Sequence, residues 1–123
     1  MPCYSMNRND DMLLAKILRY CDEIEATHMF FHNDESLFCD QSNGFIYRNA
    51  ITMAILQIGE LAKALSDECC HSYPDIPWKQ VIRTRDVYAH HYGAIEYEQV
   101  WKTSTEDIDL MKSILLKAKK EEA

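Results

Sequence analysis

An all-α fold, a bundle of four or five helices running up and down, is what the sequence predicts. Apolar residues recur at three- and four-residue steps over long windows, and helix-breaking punctuation separates those windows. No alternating strand pattern, internal repeat or low-complexity tract is present. With 123 residues, 47% of them hydrophobic, the chain suits one compact domain over 1–123.

Leu13, Leu14, Ile17, Leu18, Cys21 and Ile24 set the first helix, from about Arg8 to His28, with "NDD" ahead of them offering a cap and first-turn carboxylates. Residues 1–7 are expected to fray. The polar "FHNDESLFCDQSNG" breaks the pattern, and Ile51, Ala54, Ile55, Ile58, Leu61, Ala62 and Leu65 restart it in a longer helix ending near Ser66. Gly59 inside that helix costs about 1 kcal/mol against alanine, so it suggests close approach of another backbone, although an isolated glycine can also be merely tolerated. "SYPDIPW" is the clearest break: Pro74 ends what precedes it, and Pro77 suits the first turn of a third helix carrying Val81 to about Tyr92. Gly93 is placed to cap that helix. A fourth helix, from about Tyr97 through Lys119, lines Trp101, Ile108, Met111, Leu115 and Ala118 along one face, and the last residues, from about 120, are expected to fray.

No apolar run approaches the roughly 18 residues that would span a bilayer, so the chain reads as soluble and unexported. Five cysteines, an odd number without a C-x-x-C pair, suit reduced thiols in the cytoplasm. His28 and His32 stand four apart, yet "HMFFH" lacks the carboxylate of a zinc-binding H-E-x-x-H, and no metal or other cofactor is expected. A formal charge of -7 argues against nonspecific coating of nucleic acid. The charge is uneven, however. Between Ile76 and Gly93, Lys79, Arg83 and Arg85 face only Asp86, so this window is +2 and the remainder -9. A polyanion would have to dock there.

That window holds "RDVYAHHY", in which four residues separate Arg85 from His90 and one separates His90 from Tyr92. An arginine can grip the non-bridging oxygens of a phosphodiester as charge builds on phosphorus. A histidine can take the proton of a ribose 2′-hydroxyl or give one to the departing 5′-oxygen. Together they suit RNA cleavage without metal, with the 2′-hydroxyl as nucleophile. On an ideal helix Arg83 and His90 share a face, whereas Arg85 and His90 are offset by about 140°. Either the last turn unwinds, or a second chain completes the site across a two-fold axis. The second is preferred, because it also concentrates cations in a small acidic protein.

"RNAITMAILQIGELAKALS", "YPDIPWKQVIRTRDVYAHHYG" and "EYEQVWKTSTEDI" resemble, in order and spacing, the HepT-like branch of the HEPN superfamily, from about Asp11 to Leu116. The resemblance implies an all-α homodimer with the R-x4-H-x-Y motif of both protomers lining one cleft, acting as a metal-independent ribonuclease toxin. It implies a minimal nucleotidyltransferase of the MntA type as antitoxin, attaching AMP to the motif tyrosine. By position Arg85 and His90 inherit the catalytic roles and Tyr92 the modification site. Asp86 stands where many members carry Asn; its carboxylate could orient Arg85 or His90, or repel substrate. Glu60 falls on the "IGE" segment and could reach the motif from the facing helix.

Each of these residues also has a plainer reading. Arg85 could be a surface ion pair, Glu60 an exposed helical carboxylate, and His91 either a spare phosphate contact or an exposed helix end. Tyr88 and Tyr97 read as packing residues with wet hydroxyls. Two functional alternatives remain beside the nuclease: a catalytically silent helical module that docks a nucleotidyltransferase, and a plain structural helical protein.

Overall fold

The computed structural model describes residues 8–91, 93 and 95–122. Its elements are α1 (Arg8–Phe30), α2 (Glu35–Cys39), α3 (Phe45–Ala64), α4 (Asp67–Ser72), α5 (Trp78–His90), α6 (Tyr97–Lys102), a π-helical turn (Thr103–Asp107) and α7 (Ile108–Glu122). No strand occurs among the described residues, so the all-α prediction holds. Four long rods form the bundle, the last of them running through α6, the π turn and α7.

The core forms where the helical stripes face one another. Ile17, Cys21 and Ile24 of α1 close onto Ile51, Ile55 and Ile58 of α3, with Val81 of α5 and Ile108 and Met111 of the last rod, all essentially without solvent contact. Two polar ties set α1 and α3 antiparallel. Near the start of α1, Asp10 accepts from the Ser66 N–H at 3.0 Å and the Ser66 hydroxyl at 2.7 Å, just past the end of α3. At the opposite ends, His28 Nδ1 meets the Tyr47 hydroxyl.

"NDD" therefore does more than start a helix. Asp10 is buried at 1% exposure and braces Ser66, which in turn caps α4 by accepting from the Cys69 N–H at 3.1 Å.

The last rod lies antiparallel to α1: Ser104 reaches His28, while Lys112 pairs with Asp22 at 2.9 Å and Glu25 at 2.8 Å. Its π turn has a local cause. The Ile108 N–H reaches back five residues to the Thr103 carbonyl, and the Thr103 N–H is shared between the Gln99 and Val100 carbonyls. The extra residue turns buried Ser104 inward, where its Oγ lies 2.9 Å from His28 Nε2 and 2.9 Å from the Trp101 carbonyl oxygen. Around this knot Phe38 of α2, Tyr47 and Trp101 pack edge-to-face, and Phe31 stacks on Tyr47 at 4.4 Å.

Three details differ from the sequence reading. The polar stretch after α1 contains α2, capped by Asp34 through the Leu37 N–H. The stretch after α3 likewise contains α4. Single turns of five or six residues are too short to show a period. Finally, Gly93 does not cap α5. The chain leaves the helix at His91 (φ -137°, ψ 48°), whose N–H closes on the Val87 carbonyl at 2.7 Å, and Gly93 itself is not in the left-handed region.

Candidate active site at the α3–α5 contact

α3 and α5 come close together at Gly59. A methyl group there would fall on Arg85 Cβ and lie 2.6 Å from its Cγ, so the glycine is the seat across which the Arg85 stem passes. This is the close approach that Gly59 signals in the sequence, and its partner is the motif arginine.

The seat leaves the Arg85 side chain only 17% exposed, with the guanidinium held between carboxylates from two helices. Nη2 pairs with Glu60 of α3, and Nη1 donates to Asp86 at 2.8 Å. Asp86 also lies 3.6 Å from Lys63, one turn beyond Glu60. Charges therefore alternate along Glu60, Arg85, Asp86 and Lys63, stitching α3 to α5.

The hydrogen bond to Asp86, then the charge of Glu60, raises the Arg85 pKa further. The same bond to Arg85, reinforced by Lys63, holds Asp86 below the ordinary carboxylate range. All three outer partners are about half exposed, so the network fixes direction more than it adds stability. Arg85 keeps further donors, among them an Nε that is out of solvent and without a hydrogen-bond partner.

His90 is the last residue of α5, and both it and His91 are exposed. Because α5 stays helical through His90, Arg85 and His90 of one chain diverge by about 140° around its axis. Unwinding of the last turn, one of the two sequence expectations, therefore does not bring them together. Tyr92 lies outside the described residues. Tyr88 is buried, and Tyr97 packs under the Arg48 guanidinium, 3.9 Å from its ring centre. Lys63 was not singled out from the sequence, although it stands three residues after Glu60 in "IGELAK".

On the other side of α5, between it and α6, lies an open groove of about 580 Å³. Arg83 lines it; Arg85 and His90 do not. Among the described residues no cluster of three or more His, Cys, Asp or Glu is arranged to hold a metal ion, and no helix is long and apolar enough to cross a membrane. Both ring nitrogens of His28 are taken up by Tyr47 and Ser104.

The HepT-like family model, described as "Ribonuclease HepT-like", matches residues 17–118. The chain belongs to the HepT-like ribonuclease family. Similar family members include "Probable ribonuclease HepT" of Thermococcus cleftensis, 33% identical over 70% of this chain and 74% of the relative. "Putative RNase MJ1216" of Methanocaldococcus jannaschii is 32% identical over 85% of this chain and 83% of the relative. "Putative RNase MJ0127" of the same organism is 39% identical over a shorter stretch, 44% of this chain and 45% of the relative. No solved structure gives a significant match. The HepT-like match includes the Gly59 seat, Glu60, Lys63, Arg85, Asp86 and His90.

Proposed function

We propose that this chain is a metal-independent endoribonuclease of the toxin type, active as a homodimer in the cytoplasm. The observation that carries the reading is the Arg85 guanidinium, its stem seated across Gly59 and its terminal nitrogens held by Glu60 and Asp86, on the helix whose end exposes His90. In the reaction Arg85 holds the non-bridging oxygens through donors left over from Glu60 and Asp86. The 2′-oxygen attacks phosphorus and the bond to the 5′-oxygen breaks, leaving a 2′,3′-cyclic phosphate and a 5′-hydroxyl. One histidine takes the 2′ proton and one supplies the 5′ proton.

The divergence within one α5 favours pairing of His90 with the partner protomer's arginine. A surface for pairing is at hand: Ile46 and Met53 of α3 are more than half exposed and share a helix face with Glu60. Among the described residues no disulfide forms, Cys21, Cys39, Cys69 and Cys70 all being thiols, which suits a reducing compartment. A minimal nucleotidyltransferase is the proposed antitoxin. AMP on Tyr92 would add a phosphodiester two residues beyond His90, competing with RNA for the cationic groups.

Purified protein incubated with total RNA and EDTA tests the nuclease. Cleavage that persists under chelation and disappears in His90→Ala supports it, and intact RNA at every protein level rejects it.

One observation favours a second reading, a catalytically silent module that docks the nucleotidyltransferase. Glu60 and Asp86 both occupy the Arg85 guanidinium and can turn phosphate away. In that case expression alone leaves cells growing, while co-expression with the neighbouring nucleotidyltransferase adds AMP to the intact mass. An unchanged mass rejects the docking partner in both readings.

A further inference from the structure

The groove between α5 and α6 has a layered lining. Thr84, Tyr88 and Val100 form a buried floor, Val87 and Ile95 its half-buried apolar flank, and Arg83 and Lys102 lie exposed at the rim. Hydrogen-bonding groups stand above the floor: the amides of Gln80 and Gln99 and the carboxylates of Glu96 and Asp107.

At about 580 Å³ and open to solvent, it accepts one flat ring system with its sugar but not a duplex. An apolar and aromatic floor under amide and carboxylate edges is how proteins hold unpaired RNA bases, whose polar edges lie exposed. The groove shares a helix with the candidate active site: Arg83 and His90 lie on one face of α5, seven residues or about 10 Å apart along the axis. A single RNA strand covers that span in a step or two.

From this geometry we propose that the α5–α6 groove is a subsite for an unpaired nucleotide flanking the cleaved linkage, selective for bases that carry an exocyclic amino group. The inference rests on the nuclease reading. Its selectivity follows from the two carboxylates, which accept hydrogen bonds from the amino groups of adenine, cytosine or guanine. Uracil offers a single ring N–H between two carbonyl oxygens that face the same carboxylates. Gln80 and Gln99 each present a donor and an acceptor, so they adapt to any of the three favoured bases. Arg83 and Lys102 take the phosphate on the rim as charge partners.

The test titrates the ¹⁵N-labelled full chain with 5′-AMP, CMP, GMP and UMP, and in parallel maps cut sites in total RNA by end sequencing. Amide shifts at Val87 and from Ile95 to Val100 are expected with AMP, CMP and GMP, and weaker ones with UMP. Replacing the exposed rim residues, Glu96→Ala with Gln99→Ala, should weaken nucleotide binding about tenfold, the worth of one lost hydrogen bond to a charged group, and flatten the base preference beside the cut. Cleavage with no groove shifts, or with an unchanged cut pattern in the double variant, overturns the subsite and leaves the nuclease standing. Equal binding of UMP overturns the selectivity. Groove shifts without any cleavage remove the nuclease reading and leave the groove as a nucleotide site.

Discussion

Gly59→Ala is the most direct probe of how Arg85 is held. In an ordinary helix the change gains about 1 kcal/mol. Here the new methyl would lie 2.6 Å from Arg85 Cγ, whereas carbon atoms pack at about 3.5 Å or more. The stem of Arg85, rather than a flexible tip, must therefore retreat by about 1 Å or more, its Cβ standing nearer still than Cγ, or α5 must lift from α3. Overpacking of this kind costs about 1–3 kcal/mol, so the net loss of stability should be about 0–2 kcal/mol. Activity should suffer more, because misplacing a catalytic group by about 1 Å costs on the order of 100-fold. Urea denaturation and RNA cleavage at saturating protein read the two effects separately. Gly93→Ala is the control: a methyl there meets nothing within 4 Å, and stability should move by less than about 0.5 kcal/mol. If Gly59→Ala gains about 1 kcal/mol and retains full cleavage, Arg85 is not seated as described.

Three further outcomes are expected. Ser104 donates to the Trp101 carbonyl, so its oxygen accepts from His28 Nε2–H, while His28 Nδ1 accepts from Tyr47; this arrangement needs a neutral ring. Burial lowers the His28 pKa from 6.5, so its contribution is complete above pH 6.5 and is lost as pH falls through the folded value. Thermal unfolding from pH 7 to 5 should show Tm falling over that range, and a flat or rising Tm contradicts the neutral ring. Asp10→Ala, which strands the Ser66 N–H and hydroxyl at a nearly solvent-free carboxylate, should cost about 1–3 kcal/mol in urea; a change below about 0.5 kcal/mol would show the brace to be idle. Asp86→Asn removes one of the two carboxylates on Arg85 and should lower KM for RNA several-fold with little change in kcat, whereas a higher KM would mean that Asp86 chiefly orients the arginine.

The long helices were legible because their buried faces repeat at a helical period, and α1 and α3 end within two residues of where the pattern fades. Gly59 was legible as a close approach because a glycine in mid-helix needs a reason. Its partner was not, since residues 59 and 85 come together only through the path of the chain between them. The "IGE" resemblance left Glu60 open between reaching the motif and being an exposed helical carboxylate, and it is half exposed while pairing with Arg85; Lys63 could have been found by asking what balances Asp86. The π turn and the His28, Tyr47 and Ser104 knot left no trace in sequence. A π turn needs only one extra residue, and "HMFFH" reads the same whether its first histidine is buried or wet. The groove was hidden for a similar reason: it is built by the packing of α5 against α6, and periodicity describes each helix alone.

The central claim is that Arg85 of one protomer and His90 of its partner act on the same phosphodiester. Mixing separately inactive Arg85→Ala and His90→Ala chains under subunit exchange tests it most directly. Half of the reassorted dimers would be mixed, each with one intact pair, so cleavage should return to about a quarter of the wild-type rate. Mixed dimers confirmed by mass but as silent as either parent would contradict it.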